Sequence, residues 1–166
     1  SSIAGEYTLA FRVSMVLALL QSSMSTFFMP YYVKSIKKSD KTKLAKLIFR
    51  NGFLGLLISA TFLITLIFSL PIIASIYDQQ DILSELLIIF VIAQGISLLI
   101  PSDGYILMSM KKNFELMLIH SFALIIFLIM VYLLTSQLNI AYAYLGYIFS
   151  QKIITGFIIY KNLRSD

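Results

Sequence analysis

Residues 52–77 read GFLGLLISATFLITLIFSLPIIASIY, 26 consecutive positions from Gly52 to Tyr77 without a formal charge. An α-helix needs about 20 mainly apolar residues to cross the roughly 30 Å hydrocarbon core of a bilayer, and this run exceeds that. The rest of the chain has the same character. Of its 166 residues 59% are hydrophobic and 13% charged, with a mean hydropathy of +0.90. Soluble domains run at about 45–50% apolar and about 25% charged. So little charge would not cover the surface of a water-soluble globule, and the apolar surface matches lipid.

Outward from that run, charge-free stretches predict an all-α integral membrane protein, a single domain of about five transmembrane helices over 9–32, 52–77, 84–109, 115–134 and 140–160. The first ends in Tyr31 and Tyr32, aromatics suited to a membrane interface, with Pro30 nearby. The second helix is expected to start before Gly52, with Asp40 as N-cap and an amphipathic entry through Leu44, Leu47 and Ile48, and to kink at Pro71. Pro101-Ser102-Asp103-Gly104 breaks the third. The stretch from Leu116 to Gln151 carries no formal charge, is too long for one crossing, and divides at Thr135-Ser136-Gln137-Leu138-Asn139. Small residues at helical spacing, such as Gly55 with Ser59, predict close helix packing.

The connections orient the chain. Lys34, Lys37, Lys38, Lys41, Lys43, Lys46 and Arg50 lie between the first two spans, which the positive-inside rule makes cytoplasmic. Asp78, Asp81 and Glu85 follow the second span, Lys111 and Lys112 the third, no charge the fourth, and Lys161 and Arg164 the fifth. That alternation predicts a cytoplasmic C-terminus and an extracytoplasmic N-terminus, and hence an upstream span. The net charge of +5 is read as topology and anionic-lipid contact, with no nucleic-acid partner, because the basic residues sit between apolar runs. The chain has no cysteine, which excludes disulfides, thiol catalysis and cysteine-ligated metal. It has no phosphate-loop or H-E-x-x-H motif, so neither ATP nor zinc hydrolysis is predicted, and no cofactor or metal is implied.

Four stretches carry a resemblance. They are Gly5-Glu6-Tyr7-Thr8-Leu9-Ala10-Phe11-Arg12, then Phe27-Phe28-Met29-Pro30-Tyr31-Tyr32 before the basic segment, then Ile72-Ile73-Ala74-Ser75-Ile76-Tyr77, and Tyr105-Ile106-Leu107-Met108-Ser109-Met110-Lys111-Lys112. In this order they resemble the second half of bacterial polysaccharide flippases of the multidrug, oligosaccharidyl-lipid and polysaccharide exporter superfamily. The family is typically two six-helix halves, so the resemblance implies a C-terminal half lacking its first helix, with the N-terminal half as partner. A departure falls at the last helix, where a glycine- and alanine-rich opening reads Asn139-Ile140-Ala141-Tyr142-Ala143-Tyr144-Leu145-Gly146. The implied function is transfer of an undecaprenyl-diphosphate-linked oligosaccharide, of O-antigen or capsule type, to the outer leaflet of a bacterial inner membrane by alternating access.

A diphosphate cannot cross hydrocarbon unaccompanied, so polar residues inside the spans become candidates. Lys152 lies nine residues before Lys161, about 14 Å deep at 1.5 Å per residue; it is read as a substrate contact, or as a snorkelling or ion-paired structural lysine. Arg12 either faces the cavity with its planar fork or marks the outer interface. Asp103 is a candidate for ion coupling, for pairing with Lys152, or for a structural role. Gln21 and Gln151, with Gln94, would hydrogen-bond sugars or neighbouring helices. Arg50 and Asn51 lie at the cytoplasmic mouth of the second helix, and His120 is read as a hydrogen-bonded histidine. The competing functions are a cation-coupled multidrug exporter of the same superfamily, a membrane enzyme of glycan assembly, and a truncated product inactive alone.

Overall fold

The computed structural model of the chain describes residues 3–76, 80–134 and 138–164. Within them every regular element is a helix: α1 Ile3–Lys37, α2 Lys41–Ile76, α3 Gln80–Ser97, α4 Asp103–Ser109, α5 Asn113–Leu133 and α6 Asn139–Arg164. Three of them, α1, α2 and α5, are long and apolar enough to cross a membrane. Their outward faces carry Leu19, Phe27, Phe49, Phe53, Phe68, Leu128 and Tyr132, all more than half exposed, which is far more apolar surface than water tolerates. These helices mark a membrane-embedded protein.

Each helix end has a local cause. Asp40 caps α2 as expected, its Oδ1 accepting the Lys43 N–H at 2.9 Å, and Leu44 and Leu47 turn inward one and two turns later. Before it, α1 stops where Ser39 takes a φ of 53° and the Asp40 N–H returns to the Ser35 carbonyl at 3.0 Å. The same device ends α4, with Lys111 at φ 60° and the Lys112 N–H on the Leu107 carbonyl at 2.9 Å. Both turns are left-handed C-caps that satisfy carbonyls left over by the last helical turn. α1 continues past Pro30 and α2 past Pro71, so neither proline ends its helix. The expected acidic turn at Asp78 and the divider at Thr135 to Gln137 lie outside the described residues.

The centre of the bundle is α3. It packs against α1, α2 and α6, while α5 leans mainly on α6. Leu83, Leu86, Leu87, Phe90 and Val91 are all at most 4% exposed, and Leu98 just past the helix end is fully buried, so α3 is buried on several sides. The α2 contact depends on Gly52 and Gly55. A Cβ on either would collide with the main-chain carbonyl of Leu99 or Leu98, respectively. Ser59 continues this line one turn on, against Gly95, so the small-residue pairing read from the sequence is the α2–α3 crossing.

The expected third span is two helices rather than one. Before the break the backbone tightens, with the Leu98 N–H on the Gly95 carbonyl and the Leu99 N–H on the Ile96 carbonyl, both at 3.1 Å. Pro101 then lacks the N–H that would continue the ladder, and α4 restarts at Asp103. Carbonyls released inside an apolar bundle need donors from elsewhere.

Candidate functional site

Those donors assemble the site. The Lys152 ammonium, on α6, donates to the Ile100 carbonyl at 3.2 Å and to Asp103 Oδ2 at 2.7 Å. Ser25 Oγ, on α1, donates to the Pro101 carbonyl. Lys152 and Asp103 form a buried ion pair, with side chains 6% and 10% exposed. The break in the central helix is therefore held from two sides by α1 and α6.

Helix arithmetic sets this pair about half a hydrocarbon-core thickness from the basic helix ends. Ser25 precedes Lys34 and Lys152 precedes Lys161 by nine residues each, about 14 Å along their helices. Half of a roughly 30 Å hydrocarbon core is about 15 Å. Two independent helices thus set the break at the same distance from their basic ends.

Polar side chains continue away from the pair in both directions. Toward the N-terminal end of α3, Ser97 Oγ lies 2.8 Å from Gln21 Oε1, and Gln94 Nε2 donates to the Tyr144 hydroxyl at 2.7 Å. Toward the basic end, Asn51 Nδ2 donates to the Tyr32 hydroxyl at 2.6 Å, with both residues buried. The Asn51 Oδ1 and the Thr155 hydroxyl are buried without a protein partner among the described residues. A polar seam thus runs through the bundle past α1, α2, α3, α4 and α6.

Of the sequence candidates, the structure brings Lys152 and Asp103 together, the pairing alternative that each carried. Gln21 contacts a neighbouring helix, Gln151 is buried beside Lys152 in sequence, and Arg50 is exposed next to buried Asn51. Arg12 stands apart: it is exposed on α1, 13 residues or about 20 Å along the helix from Ser25. His120 is hydrogen-bonded as expected, its Nδ1 lying 3.1 Å from the Tyr147 hydroxyl. Tyr32 corrects an expectation. Tyr31 is 51% exposed as an interface aromatic should be, but Tyr32 is 2% exposed and belongs to the seam. Ser25, Ser97 and Tyr144 were also missed. The signal available for the two serines was their place inside charge-free runs, where a hydroxyl needs a partner.

Fold and site together define a class: an all-helical, membrane-type bundle whose central helix is broken around a buried ion pair. Comparison with known proteins finds no matching family model, no matching curated protein and no matching solved structure.

Proposed function

We propose that this chain is one half of a membrane transporter that moves an undecaprenyl-diphosphate-linked oligosaccharide from the cytoplasmic to the outer leaflet. The observation that carries this reading is the Lys152–Asp103 pair at the break of the central helix. Ionisable residues are costly inside a membrane and mark substrate or ion pathways there, and discontinuous helices near the midplane are a recurrent way of building such sites. The sequence resemblance to polysaccharide flippases supplies the cargo.

In this reading α1, α2, α3 with α4, α5 and α6 make five crossings. The basic ends face the cytoplasm of a bacterial inner membrane, and the N-terminal half of the transporter closes the cavity. Asp103 is then a placeholder. Removing one partner of a buried pair costs about 3–5 kcal/mol, whereas exchanging one anion for another leaves the ammonium matched throughout. An incoming diphosphate can take Lys152 from Asp103, and the released carboxylate can take a proton or a cation. The helix break gives that exchange freedom, because Ser25 and Lys152 hold its carbonyls beside one long 3.4 Å turn bond from the Asp103 N–H, in place of a continuous ladder.

The test is transport of fluorescent lipid-linked oligosaccharide in liposomes carrying the complete transporter. Asp103→Asn and Lys152→Gln are each expected to lower transport, and the double variant to regain stability without regaining transport. Full transport by the double variant would reduce the pair to a structural bridge and overturn the reading. Transport of cationic drugs with none of the glycolipid would move the chain to the multidrug alternative.

A further inference from the structure

Three side chains beside the helix break have more hydrogen-bonding capacity than the protein uses. Tyr32 on α1, Asn51 on α2 and Ser102, the residue before α4, are 2%, 0% and 1% exposed. Asn51 Nδ2 donates to the Tyr32 hydroxyl at 2.6 Å, and the Ser102 side chain stands by the same hydroxyl without closing a bond to it. The three polar groups therefore meet at one junction, between α1, α2 and the break.

Each of them leaves one capacity unmet. Asn51 Oδ1 and Ser102 Oγ have no hydrogen-bond partner among the described residues. The Tyr32 hydroxyl accepts from Asn51 and forms no second hydrogen bond among those residues, so its own O–H has nothing to donate to. Turning the Asn51 amide over would satisfy its oxygen and strand its nitrogen. Ser102 makes no capping bond to α4 either. Orphaned polar atoms are rare in an apolar interior, because each has given up the water that solvated it when unfolded. Three of them at one junction point to a shared partner from outside the chain.

We infer that one buried water molecule is bound at this junction, accepting from the Tyr32 hydroxyl and donating to Asn51 Oδ1 and Ser102 Oγ. About three bonds is the usual complement of a buried water, and a single molecule meets all three unmet groups. A cation fits the same oxygens less well. Asn51 and Ser102 are neutral, the Arg50 guanidinium acts electrostatically on the Tyr32 hydroxyl, and the adjacent carboxylate, Asp103, is already matched by Lys152. A cation would therefore meet positive charge with no anion left to offset it. The water holds the break on a third side. Ser25 reaches it from α1 and Lys152 from α6, and the water links Ser102 to Asn51 on α2. A water re-forms its bonds as its partners shift, so this link lets the start of α4 move against α2 without stranding the Asn51 amide. The site is independent of any cargo the chain carries.

The experiment uses the full chain in phosphatidylcholine nanodiscs, with X-ray pulses that turn water into hydroxyl radicals where it lies and mass spectrometry to find the oxidised side chains. Tyr32 is expected to be oxidised several-fold faster than Phe90, a ring 4% exposed in the apolar core, and Asn51→Leu to bring it down to the Phe90 rate. The sign of a stability change gives a second readout. A Ser102 hydroxyl with no partner is better removed, so Ser102→Ala would keep or raise the melting temperature. A hydroxyl bound to water is a loss, and a fall of about 2–4 °C is expected. Tyr32 oxidised no faster than Phe90, or a Ser102→Ala variant at least as stable as the parent, overturns the bound water. Exchanging sodium chloride for choline chloride should leave both readouts unchanged. A melting temperature that falls when sodium is withdrawn assigns the three oxygens to a cation and overturns the water as well.

Discussion

At the scale of the residue, the ammonium of Lys152 and the carboxylate of Asp103 are each other's only ionic match among the described residues. Truncating one strands the other in an apolar bundle. Lys152→Ala or Asp103→Ala is expected to cost about 3–5 kcal/mol, and Lys152→Met with Asp103→Asn to recover most of it, because a buried pair replaced as a unit is close to neutral. Thermal unfolding in detergent, scored as a double-mutant cycle, checks this; additive single effects would mean that the pair is not coupled. Tyr32→Phe should cost about 1–3 kcal/mol by leaving buried Asn51 without its partner, and Tyr31→Phe close to nothing. Lys152 and Asp103 were legible in the sequence because a charge inside a bilayer-length run needs a partner, and few were available. Tyr32 was not. Tyr31 and Tyr32 differ only by the roughly 100° between successive helical residues, and α1 has so even an apolar surface that composition cannot tell which of the two points inward.

The elements were legible to differing degrees, for physical reasons. The start of α2 followed from a cap residue before an amphipathic turn, and Asp40 is that cap. The break at Pro101 followed from a proline set beside Ser102, Asp103 and Gly104, a cluster that Pro30 and Pro71, whose helices continue, do not have. The central, buried position of α3 did not follow, because a helix that is apolar on every side reads the same whether lipid or protein surrounds it. Its signature lies instead in the small residues of its neighbour. Gly52→Ala and Gly55→Ala would drive a methyl into the carbonyls of Leu99 and Leu98, which are main-chain atoms with little room to move. Each should destabilise by about 1–3 kcal/mol in the same unfolding measurement. Gly104 has nothing within 4 Å of its missing Cβ, so Gly104→Ala should be neutral or stabilise α4 by up to about 1 kcal/mol. Ser39→Gly should also stabilise, because a non-glycine residue at a φ of 53° sits in the region that disfavours a Cβ. If Gly55→Ala and Gly104→Ala behaved alike, the α2–α3 crossing would be misplaced.

At the scale of the whole molecule, the deciding question is which helix ends share a side of the membrane. The chain suits a direct answer, because it has no cysteine to remove before single cysteines are introduced. α5, with 21 residues, is about 32 Å long and separates the turn at Lys112 from the one before Asn139; α6, with 26 residues, is about 39 Å and returns to Lys161. Both are long enough to cross a bilayer core, and α5 is apolar enough as well, so the transporter reading requires each to carry the chain across. Lys41→Cys and Lys161→Cys are expected to react with a membrane-impermeant thiol reagent from the cytoplasmic face, and Asn139→Cys only from the opposite face. Labelling of Asn139→Cys and Lys161→Cys from one side would leave α6 uncrossed. The depth that the transporter reading gives the Lys152–Asp103 pair would then fail, because it is counted from Lys161 along α6. The transporter reading draws on that same count, so this labelling pattern decides it.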